Sequence, residues 1–363
     1  MNKESQPFAS MAFLWPALAA ETASEFASAM AREFVNFAVG PESAREAREP
    51  RWTTRNKVAL ELTAVRLRDF STRSEGAITL VCAPFALHGA TIVDFAPEHS
   101  LVAALQAGGM DRIFVTDWRS ASAEMRFCSI DDYLLSLNVL VDELGGPLDL
   151  VGLCQGGWMA LIYAARFPAK VRKLVLAGAP IDIAAGQSRL STLALNTPSS
   201  IFRELVEFGG GRVLGQQMLK CWAPEFEREQ IHELLEPRAE PGSASFARLE
   251  RRFRDWYAWT VDLPGAYYLQ VVEQLFKESR LSAGKFVALG RRIDLSKLRC
   301  PVFLLAGSKD DTVAPEQVFA TERLIDAHHC AITKSTAPCD HLGLFMGRKV
   351  LRSVWSDVAR WLH

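Results

Sequence analysis

The sequence predicts an α/β protein: a mostly parallel sheet covered by helices on both faces, with a helical insertion ahead of its last strands. Three observations carry this. Unbroken apolar runs of strand length alternate with segments whose apolar residues recur at helical spacing. The alternation lapses between about 185 and 295, in a stretch rich in aromatic residues, and then resumes. At one junction between a buried run and a helix, "DLVGLCQGGWMAL" (149–161), a cysteine stands between two glycines.

Composition sets the frame. The chain has 363 residues, 49% hydrophobic and 23% charged, with formal net charge −1. That is the balance of an ordinary globular protein with ample core, and it favours neither nucleic acid nor an acidic polymer as partner. The seven cysteines form no regular framework and no C-x-x-C pair, which points to reduced thiols and a cytoplasmic setting.

At the N-terminus, "MAFLWPALAAETA" has an apolar run followed by small residues, as an export signal would. Pro16 breaks the run, Lys3 and Glu4 precede it together, and it is too short to span a bilayer. From 17 to 39, Phe26, Met30, Phe34 and Phe37 fall at helical spacing. This predicts an amphipathic helix packed on the body or on a partner, within an N-terminal segment and linker over 1–56.

The core is expected over 57–184 and 296–363. "AITLVCAPF" (77–85) and "RIFVTDW" (112–118) are continuous apolar runs, as strands buried on both faces require. "IDDYLLSLNVLVDELGG" (130–146) has helical periodicity and stops at a glycine pair. "LDLVGLC" then reads as a strand, "GWMALIYAARFP" as a helix and "VRKLVLAGAPID" as a strand. His328 and His329 are placed at the start of a further strand. The insertion over 185–295 holds "SIFRELVEF" and "RRFRDWYAWTVDLPGAYYLQVVEQLF", with "EPRAEPGSAS" as a loop. Its place between parallel strands predicts a cap over the carboxyl edge of the sheet, where ligands bind in such folds. "GGGRVLG" (209–215) lies inside it, without the βαβ context that a nucleotide loop needs.

Gly152-Leu153-Cys154-Gln155-Gly156 has the form of a nucleophile elbow, a strand-to-helix turn too tight for side chains two positions either side of the reactive residue. A buried cysteine is ordinarily a small inert apolar residue, which is the reading for the other six. Cys154 differs in its address at a helix N-terminus, whose dipole favours the thiolate. The N–H of Gln155 would supply half of an oxyanion hole, and Phe85 or its neighbour Ala86, in the loop after the 77–85 run, the other half.

A nucleophile needs a base, and the base an orienting acid, in the chain order nucleophile, acid, base. "LLAGSKDDTVAP" offers Asp310 three residues after Gly307, with Asp311 as the alternative acid, and "TAPCDHLGLFMG" places His341 in a loop before the final helix. His88 follows the oxyanion loop and is expected to line the site. His99, His232 and His363 have no motif context. No metal cluster, phosphate loop or dinucleotide fingerprint is present, so no bound metal or cofactor is expected.

The elbow with its following helix and strand, "VTDW" and "IDDYL" upstream, and "CPVFLLAGSKDD" and "HLGLFMG" downstream resemble the polyhydroxyalkanoate synthases and the intracellular polyhydroxyalkanoate depolymerases. These are α/β-hydrolase-fold enzymes with a cysteine nucleophile, and the likeness covers about 75–363. It implies that Cys154 carries the acyl chain as a thioester, that His341 is the general base and that Asp310 orients it. It further implies a coenzyme A thioester as substrate or product, a polyester chain, a granule surface, and a partner subunit or homodimer. The compact length and "CQGG" look most like the short synthases. Asp310-Asp311, where synthases commonly have Asp-His, and the "HLGLFMGRK" ending look more like the depolymerases. Two readings outside polymer chemistry rest on the same residues: a small-molecule esterase or thioesterase, and a granule-binding protein with a relic site.

Overall fold

The computed structural model describes residues 48–363 except 223, 224 and 327, so the helix expected over 17–39 lies outside the described residues. An eight-stranded sheet organises the chain, with strands β1 (Lys57–Glu61), β2 (Val65–Asp69), β3 (Ile78–Cys82), β4 (Arg112–Trp118), β5 (Leu148–Leu153), β6 (Val171–Ala177), β7 (Val302–Gly307) and β8 (Ile332–Ala337). Their order is β1-β2-β4-β3-β5-β6-β7-β8. From β4 to β8 all neighbours are parallel, while β2 runs antiparallel to both β1 and β4. This is the α/β-hydrolase fold.

Burial explains the apolar runs. Every residue of β3, β5 and β7 is buried, because helices cover both faces of the central strands. The helices include α1 (Leu101–Ala107), α2 (Ile130–Leu144) and α3 (Gln155–Arg166). Helix α2 begins in a capping box between Ser129 and Asp132 and ends at Gly145 in the left-handed region, φ 72°.

Two expectations are corrected and one hairpin is added. The 77–85 run is strand only over Ile78–Cys82: Pro84 cannot donate to a ladder, and the chain turns off the sheet edge there. The hairpin β1–β2 went unread because β1 is largely exposed, although Val65 and Leu67 of β2 are buried at period two. His328 and His329 stand in a turn ahead of β8, where the Asp326 carboxylate accepts from His328 N at 3.0 Å and contacts His329 Nδ1 at 2.7 Å.

Between β6 and β7 the chain forms α4 (Arg189–Asn196), α5 (Ser199–Phe208), α6 (Gly215–Trp222), α7 (Arg228–Leu235), α8 (Ala244–Ala258) and α9 (Gly265–Gln270). The "GGGRVLG" stretch turns into a short ribbon, Arg212–Val213 pairing antiparallel with Leu263–Pro264. Aromatic rings fasten these helices to the segment that leaves the carboxyl end of β3. Trp256 of α8 lies 6.1 Å from Phe95, and Tyr267 of α9 lies 5.3 Å from Phe85.

Candidate active site

The turn from β5 into α3 places Cys154 at φ 47°, ψ −120°, a conformation that L residues rarely adopt. Such a backbone costs on the order of 1–3 kcal/mol and persists only where its surroundings over-determine it. Here they do. A Cβ on Gly156 would lie 2.2 Å from the Cys82 carbonyl oxygen, and one on Gly152 would lie 2.6 Å from Gly157 Cα. Cys154 N donates to Ala177 O at 2.9 Å, tying the turn to the end of β6. Cys154 itself is only partly buried, so the strain presents a sulfur atom rather than hiding it.

His341 and Asp310 approach from the loops after β8 and β7. His341 Nδ1 is 2.7 Å from Asp310 Oδ2, and both residues are buried. The other carboxylate oxygen of Asp310 accepts from Thr312 N at 2.9 Å and Val313 N at 2.8 Å, so a backbone turn aims the acid. Asp311 points the other way: its side chain is 66% exposed and its nearest cation, Arg189, is 3.8 Å distant. Burial works against a charge on His341, but Asp310 and Cys154 together outweigh it and hold the imidazolium well above the usual histidine range. Gly178, at φ 55°, lies against the ring: a Cβ there would stand 3.2 Å from His341 Cε1.

Gln155 opens α3, and its N–H is one of the unpaired donors of a helix N-terminus. Its side chain is held back by Trp158, whose Nε1 donates to Gln155 Oε1 at 2.9 Å. Phe85 is buried, its ring stacked on Tyr133 at 4.7 Å. His88 packs against Trp256 and Tyr257 at 4.5 and 4.9 Å, with Nδ1 3.2 Å from Trp259 O. Burial pushes its pKa down to about 4, so it adds no charge near neutrality.

Burial pushes the thiols of Cys82, Cys300 and Cys339 up to about 12, and moves those of Cys128 and Cys330 in the same direction. These five fit the inert apolar role expected of them. Sequence reasoning passed over two residues near the elbow: Gly178, against the His341 ring, and Tyr267, whose ring lies 5.3 Å from Phe85. Gly178 had a signal in the "AGAP" that ends a strand. Tyr267 had none, since nothing in "DLPGAYYLQ" separates a site tyrosine from a packing one.

Comparison with known proteins bears on the fold and on the kind of enzyme. The family described as "PHB de-polymerase C-terminus" matches residues 229–363. The poly(3-hydroxyalkanoate) polymerase subunit PhaC of a Synechocystis strain is 28% identical over 286 residues, 75% of this chain and 74% of that protein. The subunit of the same name from Allochromatium vinosum is 24% identical over 279 residues, 75% of this chain and 77% of its own length. Among solved structures, a monoacylglycerol lipase of Paleococcus ferrophilus superposes with TM-score 0.53 at 15% identity, covering 82% of this chain and 98% of its own. That last likeness speaks to the fold alone. Together they put the chain among α/β-hydrolase-fold enzymes, acyltransferase or hydrolase.

Proposed function

We propose that this chain, a relative of the polyhydroxyalkanoate synthases and depolymerases, is a poly(3-hydroxyalkanoate) synthase-like acyltransferase that works through a thioester on Cys154. The observation that carries the reading is the 2.7 Å contact of His341 with Asp310, joined to a Cys154 that acts electrically on the same imidazole. In the first half-reaction Cys154 Sγ attacks the carbonyl carbon of a hydroxyacyl coenzyme A thioester. A C–S bond to Cys154 forms, the bond to coenzyme A breaks, and the departing thiolate takes the proton held on His341. In the second, a chain-end hydroxyl gives its proton to His341 as its oxygen attacks the acyl carbon. A C–O bond forms, and the cysteine thiolate leaves. Asp310 keeps the imidazole in the orientation both transfers need, and the N–H groups of Gln155 and Phe85 stabilise the oxyanion of each step.

The reaction needs no bound cofactor, since coenzyme A enters only as substrate or product. Cysteine suits such a reaction because exchange between two thioesters is nearly balanced in energy. The aromatic insertion over 185–295 acts as the cap that excludes water while the thioester waits for a hydroxyl. The setting is the cytoplasm at a granule surface, with a partner subunit or a second copy. Among the described residues no helix is long and apolar enough to cross a membrane.

A second reading, the intracellular depolymerase, is favoured by the family match over 229–363 and by the Asp310-Asp311 pair. It uses the same acyl-cysteine with water or coenzyme A as acceptor. The two are separated by supplying the protein with 3-hydroxybutyryl coenzyme A in one arm and amorphous polymer granules in the other. Polymer with coenzyme A release supports the synthase, and granule loss alone replaces it with the depolymerase.

A further inference from the structure

We infer that the hydroxyl of Tyr267 is a third hydrogen-bond donor to the carbonyl oxygen of the acyl group on Cys154, an inference that rests on the acyl-cysteine reading above. Tyr267 is 1% exposed, and among the described residues its Oη has no hydrogen-bond partner. Buried hydroxyls are nearly always paired, so an unmet one beside a candidate site is a donor available to a substrate atom.

Its position fits that role. The Tyr267 ring lies 5.3 Å from Phe85, which carries one expected oxyanion N–H, and 6.2 Å from Trp158, which holds the side chain of Gln155, the bearer of the other. The backbone beneath it is pinned: Tyr267 N donates to Cys128 O at 3.0 Å, and a Cβ on Gly265 would stand 2.5 Å from Gly211 O. Burial, reinforced by Tyr133, Cys82 and Cys154, pushes the phenol well above its ordinary value, so it keeps its proton and is able to donate. Tyr133 is the internal control. Its Oη is also buried and unpartnered, and its ring lies 4.8 Å from that of Tyr267, but the charged groups that act on it are Cys128 and Asp132 rather than Cys154.

The test is single-turnover acylation of the full chain by 3-hydroxybutyryl coenzyme A, followed by mass spectrometry of the peptide bearing Cys154. Tyr267→Phe keeps the ring and removes the donor. It should slow acylation about 10- to 100-fold, leave the half-saturating concentration within about twofold, and not lower the melting temperature, since no internal hydrogen bond is lost. Tyr133→Phe should acylate at the wild-type rate. A Tyr267→Phe rate within about twofold of wild type overturns the assignment, and so does an equal fall in both variants, which would trace the loss to a shared effect of removing a buried hydroxyl. Wild type that forms no acyl-Cys154 refutes the proposed function, and the tyrosine assignment falls with it. Normal wild-type acylation with an unaltered Tyr267→Phe refutes the tyrosine alone.

Discussion

Asp310 turns one carboxylate oxygen to His341 Nδ1, 2.7 Å away, and gives the other to two backbone N–H groups; Asp311, next in the chain, contacts neither. Adjacent side chains in a turn leave the backbone in different directions, so only one of two consecutive aspartates can meet the ring. Asp310→Asn should therefore lower the rate of acyl transfer on the order of 10³- to 10⁴-fold by leaving the imidazole in the wrong tautomer. Asp311→Asn should stay within about twofold. Steady-state rates with 3-hydroxybutyryl coenzyme A check both, and a larger loss at Asp311 would reverse the assignment.

Cys154→Ala should abolish acyl-enzyme formation while leaving the thermal transition within a few degrees, because a partly buried thiol at a turn contributes little to packing. It should also lower the titration midpoint of His341, followed by NMR of the ring Cε1 proton, since Cys154 helps hold that imidazolium. Acyl label on a different cysteine of wild type would sink the nucleophile assignment.

The native pKa of His341 lies above its unfolded value near 6.5. The stability this shift contributes is complete below about pH 6.5 and is lost as pH climbs through the raised native value. Urea unfolding from neutral to alkaline pH should show wild type losing free energy over that window. His341→Gln should flatten this part of the profile, and an unchanged slope would show that the pair has little linkage to folding.

Gly156→Ala would bring a methyl group to 2.2 Å from a backbone oxygen of β3, which has no side chain to swing aside. Helix α3 would have to lift from the sheet, at a cost of about 3 kcal/mol, read as a lower urea midpoint with unchanged slope. Gly145→Ala, where nothing lies within 4 Å of the added carbon, meets only the strain of φ 72° and should cost about 1 kcal/mol.

The central strands, α2, α3 and the elbow were legible in the sequence because both of their determinants are local. Burial on two faces demands continuous apolar runs, and a tight turn demands glycine at fixed offsets. The pairing of Asp310 with His341 was legible as an order of residue types, but the choice between Asp310 and Asp311 depended on the turn through Val313, which spacing alone does not reveal. The β1–β2 hairpin was missed because an edge strand with one solvent-facing side lacks the apolar run that betrays a central one. Tyr267 was illegible for a different reason: its meaning comes from Phe85 and Trp158, which lie 182 and 109 positions away in the chain and meet it only on folding.

The loop that carries Phe85 is stitched to the segment after α8 at three successive residues. Leu87 O accepts from Val261 N at 3.0 Å, His88 Nδ1 meets Trp259 O at 3.2 Å, and Gly89 leaves no room for a methyl group beside the Trp259 ring. Loop and insertion thus share one set of restraints: a substitution that loosens the segment after α8 loosens the backbone beside Phe85 with it, so the insertion and the loop cannot be altered independently of each other.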